Sequence, residues 1–267
     1  MDVFGKDAIL GEIKLSDMGM MLASFDSKSS DEEDLSMGTS TIEEYIGDNP
    51  VPIYIGMKHN AKLQAAITMV KNPCLSKSNY FDEYDCRKIL RCLTGFRGYK
   101  RLQILTEDFE TTYHFNFRTI DAKYQKVEGQ VAGITLEIEC DSPFAWTDER
   151  QYKTTTDGSS NIVIYNQSDD LNHYLLPLVT LSSPADVDLS IINLNDHGWE
   201  TKISLLGGET VTMDSKRSMI FSNNNRLIGK DFNQHFIRFV PDKNEFSVNH
   251  AVDITFQYNL PIKVGFL

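Results

Sequence analysis

Between Ile134 and Trp146 the chain reads Ile-Thr-Leu-Glu-Ile-Glu-Cys-Asp-Ser-Pro-Phe-Ala-Trp, and no other stretch constrains the fold as tightly. Ile134, Leu136, Ile138 and Cys140 alternate with Thr135, Glu137 and Glu139. That period of two sets one face of a strand on a core and the other toward water. Asp141-Ser142-Pro143 stops the strand, because proline offers no N–H to a ladder and restricts the residue before it. Phe144 and Trp146 then supply an aromatic anchor, and Thr147 to Ser160 reads as a polar linker. A last strand, a stop, an anchor and a linker mark the end of one domain and the start of another. A chain of 267 residues is long enough for two domains of ordinary size, 1–147 and 148–267.

The two halves differ in pattern. Residues 1–25 give short strand-like pieces broken by Gly5, Gly11 and Gly19, and strands resume at Val51–Ile55 and Lys62–Val70. One helix follows, from Asp82 to Thr94. Its Cys86, Ile89, Leu90 and Leu93 stand at i, i+3, i+4 and i+7, acids fill its first turn, and Gly95 suits its C-terminal cap. Further strands are expected at Leu102–Leu105 and Thr112–Arg118. From Asn161 onward there is no helix signal of useful length. Short candidate strands recur instead at 162–165, 174–181, 187–192, 201–205, 210–213, 218–221, 236–240, 246–248 and 253–258, with turn chemistry between many of them. The expected architecture is mainly β: a β-rich α+β domain with one helix, then a β-sandwich or jelly roll.

Composition argues against several functions. The formal net charge is -12 with no basic run, a poor match to duplex nucleic acid, whose affinity for proteins rests on lysine and arginine. No stretch reaches the 18 apolar residues of a membrane helix, and the first residues lack a basic segment followed by a long apolar one, so cytoplasmic synthesis without a signal peptide is expected. Cys74, Cys86, Cys92 and Cys140 are irregularly spaced and read as reduced thiols. The six histidines are scattered without metal-ligand spacing, and His114 falls on the polar face of its strand. Asp26–Asp34 is a small-polar and acidic run that lacks the ligand spacing of a calcium loop and reads as solvated. No nucleophile elbow, zinc-protease or phosphate-loop motif is present, and adjacent Asp169 and Asp170 read as turn acids rather than a facing carboxylate pair. No catalytic residue, cofactor or metal is expected. Trp146 lies beside Phe144 and Ala145 and is expected to seal a core edge. Trp199 follows Asp196-His197-Gly198 in an expected loop and is the one candidate glycan contact.

Three features together resemble the siphophage distal tail protein family. They are the junction residues Asp141, Ser142, Pro143, Phe144 and Trp146, the order of strands, one helix near Asp82–Thr94 and more strands, and the ending Arg238–Phe246 followed by Asp253–Phe266. That family commonly joins two late strands by a proline–glycine–asparagine turn; here the turn is Pro241-Asp242-Lys243-Asn244, without the glycine. The resemblance implies a structural virion protein at the tail tip. Its N-terminal domain would close into a homohexameric ring around the DNA channel, and its C-terminal domain would be a galectin-like β-sandwich. The implied partners are further copies of the chain, the tail tube protein, a tail-associated hub or fibre protein and the tape-measure protein. The rival expectation is a carbohydrate-binding module that reads host glycans through the C-terminal sandwich. Asp26–Pro50 is a candidate clasp that orders on assembly.

Overall fold

The computed structural model describes residues 5–23, 39–47, 50–59, 62–76, 78–105 and 113–264, so the expected acidic loop 26–34 lies outside the described residues. The chain divides into two compact units. One runs to Trp146 and takes the chain back from Lys263; the other is Thr147–Ile262.

The first unit contains β1 (Asp7–Leu10), β2 (Ile13–Lys14), β3 (Met20–Leu22), β4 (Thr39–Glu44), β5 (Ile53–His59), β6 (Gln64–Lys71), α1 (Glu83–Leu93), β7 (Lys100–Leu105), β8 (Tyr113–Val127), β9 (Gln130–Cys140) and the start of β10 (Ala145–Thr147). An antiparallel sheet runs in the order β2-β1-β7-β8-β9-β6-β3. The alternation in β9 decides its placement: Ile134, Leu136, Ile138 and Cys140 are fully buried, with Ile67 and Met69 of β6 and Phe115 and Phe117 of β8 in the same core. Helix α1 begins as its sequence demands. Asp82 accepts a hydrogen bond from Asp85 N at 2.7 Å, and the Asp85 carboxylate reaches back to the Asp82 N–H. Cys86, Ile89 and Leu93 face the core, and the Thr119 hydroxyl donates to Leu93 O at 2.7 Å, tying the helix end to β8.

Strand β8 runs far past the expected Arg118. Glu128 and Gly129 both have positive φ, 51° and 83°, which is the two-residue turn that matches strand twist, and β8 and β9 pair all the way to it. Glutamate is an unusual choice at the first of these positions, which hid the turn.

The second unit contains β11 (Arg150–Asp157), β12 (Ile162–Asn166), β13 (Leu178–Ser182), β14 (Val187–Asn193), β15 (Trp199–Leu205), β16 (Thr210–Asp214), β17 (Met219–Ser222), β18 (Asp242–Val248), β19 (Ala251–Tyr258) and β20 (Pro261–Ile262). Two antiparallel sheets, β11-β19-β13-β16-β17 and β12-β18-β14-β15, share one core and form a β-sandwich. Phe239, Phe246 and Phe256 meet in it with ring centroids 5.6–5.8 Å apart. The expected polar linker 147–160 is corrected here, because Arg150–Asp157 is an edge strand in full register with β19. Only Thr156 of its eight residues is buried, so the strand carries no apolar alternation. Residues 236–240 are the converse case. They form no strand beyond a single bridge between Phe239 and Leu175, and Ile237 and Phe239 drop into the core from a crossing segment.

Candidate assembly surface

Among the described residues, strands β4 and β5 pair only with each other, as an antiparallel hairpin with a bulge between Ile42 and Glu43. Part of the span expected to be loop is therefore strand; residues 26–38 and 48–49 lie outside the described residues. Tyr45, Ile46, Val51, Ile53, Tyr54 and Ile55, six large apolar side chains in or beside the hairpin's connection, are each at least 50% exposed. Soluble monomers seldom expose a contiguous patch of this kind, and a two-stranded hairpin is marginal without a surface to lie on. Glu43 and Glu44 flank the patch and make no ion pair among the described residues.

The junction residues form a knot in the first unit. Asp141 accepts from Asn116 Nδ2 at 2.9 Å and from Trp146 Nε1 at 3.2 Å, while its own N–H donates to Asn116 O. The Ser142 hydroxyl donates to Phe144 O at 2.9 Å, and Phe144 and Ala145 are buried. Burial and the neighbouring Asp141 and Glu139 carboxylates push the Cys140 thiol up to about 12, so it stays protonated. All four cysteines are free, and no group of metal-ligating side chains occurs among the described residues. No described helix is long and apolar enough to cross a membrane.

Trp199 opens β15 rather than lying in a loop, and it is half-buried. Its indole N–H donates to Phe236 O at 3.0 Å. The His235 ring stacks on it at 4.3 Å, and Arg238 Cζ stands 3.7 Å from its centroid. Both groups lie so close to the ring centre that they occupy its two faces. A sugar would have to displace one of them to stack there. Arg238 also covers Tyr174 at 3.9 Å and pairs with buried Asp196 at 2.6 Å. Beside this cluster, buried Asn244 accepts from Val240 N and donates to Val240 O, at 2.8 and 2.9 Å, and accepts from Asn193 Nδ2. Asp242, which stands directly after Pro241, has φ 65°, a left-handed conformation that glycine adopts more readily than aspartate.

A polar groove of about 630 Å³ crosses the second unit between β14, β15 and Lys230–Asn233. Its carboxylates are committed to neighbours: Glu200 to Ser190 and Lys202, Asp188 to Ser204, and Asp231 to Arg226. The one aromatic ring that lines it, Phe232, is buried. Sequence reasoning gave no role to Arg238 or Asn244, and it reached the hairpin only as a strand at Val51–Ile55 and a candidate clasp at Asp26–Pro50. For the hairpin, the usable signal was the apolar triplet Ile53-Tyr54-Ile55 just after two prolines.

Residues 4–142 match a family model described as a phage tail protein N-terminal domain, and residues 144–258 match one described as a phage tail C-terminal domain. The fold resembles the crystal structure of the SPP1 phage Dit protein, described as a paradigm of the hub adsorption apparatus in phages that infect Gram-positive bacteria. Sequence identity is 12%, the TM-score is 0.64, and 95% of this chain and 98% of that one are covered. A chain of the activated phage P2 baseplate, solved with calcium, is similar at 9% identity and a TM-score of 0.45, covering 94% of this chain and 93% of that one. No curated protein matches the sequence.

Proposed function

We propose that this chain, which belongs to the phage tail protein family with that pair of N- and C-terminal domains, is a distal-tail hub whose first domain closes with five further copies into a hexameric ring. The observation that carries the reading is the β4–β5 hairpin, with six large apolar side chains turned to solvent at its tip. A cyclic ring uses heterologous contacts, in which one face of a subunit meets a different face of the next. A projecting hairpin is a ready-made donor for such a contact. In this reading residues 1–147 build the ring and residues 148–267 form a galectin-like sandwich. The ring sits in the virion at the tail tip, joins the tail tube protein to a hub or fibre protein, and meets the tape-measure protein along its axis. DNA passes through without being held, as the net charge of -12 favours. The protein works by assembly, not by catalysis.

The test is light scattering of the purified protein over a concentration series, followed by negative-stain imaging. A six-subunit mass and rings with a central channel are expected. A monomer at every concentration, both alone and with the tail tube protein added, would overturn the reading.

A further inference from the structure

The sandwich of the second unit is covered on one side and open on the other. On the covered side, β15 is the edge strand of one sheet, and the segment 231–233 lies along it. Ser204 N donates to Asp231 O at 2.9 Å, Asn233 N donates to Lys202 O at 3.1 Å, and Ile203 bridges to Phe232. On the open side stand β11 and β12, the outer strands of the two sheets, joined by the short turn 158–161. Among the described residues, β11 pairs with β19 and with no other strand. It is the longer of the two edges, eight residues in unbroken register, without proline or bulge. Such an edge is a template for another strand, and most proteins cover or break it.

The charges on β11 select what it can accept. Lys153, Thr155 and Asp157 share its outer face, and Thr154 and Thr156 alternate with them on the inner one. Lys153 is exposed and makes no ion pair among the described residues. Asp157 is exposed as well, and its carboxylate accepts from Ser159 N at 2.9 Å and from Ser160 N at 3.1 Å. Those bonds hold its carboxyl at about 2, so it is charged at neutral pH. An edge lysine repels most incoming strands. It admits one that sets an acid against it and a cation against Asp157. The stretch Lys153-Thr154-Thr155-Thr156-Asp157 is itself such a strand, because reversed about Thr155 it places aspartate opposite lysine and threonine opposite threonine. Every pair then keeps to one face of the sheet, and both kinds of pair favour antiparallel pairing.

We propose that β11 pairs antiparallel with β11 of a second copy of this chain, with Thr155 on the two-fold axis, so that two five-stranded sheets join into one of ten strands. Lys153 of each copy meets Asp157 of the other, and the backbone groups along both open edges pair. The contact is isologous, one patch meeting itself. It is therefore distinct from the head-to-tail contact that a ring requires, and it does not depend on the ring reading. Backbone pairing supplies the affinity, and the two ion pairs fix the register, since a shift of two residues sets neither lysine against an aspartate.

Disulfide trapping tests the register. The full chain carries Cys74→Ser throughout, which removes the exposed native thiol. Thr155→Cys then sets two thiols across the axis, with Cα atoms about 5 Å apart. Gln151→Cys, outward on the same strand, is the control, because the register leaves it about 27 Å from its counterpart. With oxidised glutathione, Thr155→Cys is expected to give at least ten times the two-chain product of Gln151→Cys. Light scattering tests the charges, since pairing doubles the mass of whichever species is present. Lys153→Glu is expected to raise the concentration at half-pairing at least fivefold, and Lys153→Glu with Asp157→Lys to recover most of that, with circular dichroism as the control for folding. Asp157→Lys also gives up the bonds from Ser159 N and Ser160 N. If that variant misfolds, the trapping assay, which leaves both charges in place, decides. Equal two-chain product from the two cysteines, no doubling of mass in the natural chain at any concentration, or a doubling that Lys153→Glu leaves unchanged would each overturn the proposal.

Discussion

Glu209 tests how the second unit holds its longest irregular segment. It lies in the turn before β16 with none of its surface exposed. Its carboxylate accepts from Arg226 Nε at 3.0 Å and Nη2 at 2.7 Å, from the Ser222 hydroxyl, and from Leu206 N at 3.0 Å. Arg226 goes on to Asp231 and to Ser204 O, so one carboxylate pins both ends of residues 222–231 to the sandwich. The Arg226 hydrogen bond, stronger here than the opposing desolvation, holds the Glu209 carboxyl at about 2 against an ordinary 4.5.

Two routes give the size of the effect. Removing one partner of a buried pair costs about 3–5 kcal/mol, and here Arg226 is 22% exposed and keeps Asp231, which brings Glu209→Ala down to about 2–3 kcal/mol. A carboxyl held at about 2 in the folded chain and 4.5 in the unfolded one contributes roughly 3 kcal/mol by linkage, and solvent reaching the pair lowers that to about 2. The folded value is the depressed one, so this stability is fully present above pH 4.5 and is lost as pH falls toward 2. Urea unfolding followed by Trp199 emission should separate the natural chain and Glu209→Ala by about 2–3 kcal/mol at pH 6, and the gap should narrow steadily between pH 4.5 and pH 2. A gap under about 0.5 kcal/mol at pH 6, or one that stays flat down to pH 2, would refute the reasoning.

Arg238→Ala leaves buried Asp196 without its cation and removes a guanidinium from two ring faces; a loss of about 3 kcal/mol in urea unfolding and a red shift of Trp199 emission are expected. Arg238→Lys should restore only part of this, because an ammonium does not stack as a planar group does. At the β8–β9 turn, Glu128→Asn relieves a left-handed conformation that glutamate adopts poorly, and it should raise the stability of the first unit by about 0.5 kcal/mol in a thermal melt. No gain, or a loss, would mean that Glu128 makes a compensating contact.

The strands that could be read from the sequence are those whose two faces see different surroundings. In β9 one face is fully buried and the other carries Thr135, Glu137 and Glu139, so the alternation is written in the residues themselves. Helix α1 was equally plain, because its cap, its stripe and its terminal glycine agree. Strand β11 was hidden because an edge strand with only Thr156 buried has no apolar face to write. Strand β18 was hidden at its start because its inward position is Asn244, a polar residue satisfied by Val240 and Asn193 instead of by apolar neighbours.

The exposed hairpin is a different case. Ile53, Tyr54 and Ile55 are consecutive, so in a strand they point to both faces of the hairpin. In a sequence, a triplet of that kind is the mark of a strand buried on both sides, and it carries no sign of whose chain does the burying. In the structure all three side chains are at least 50% exposed, so the described residues do not supply the cover that the pattern calls for.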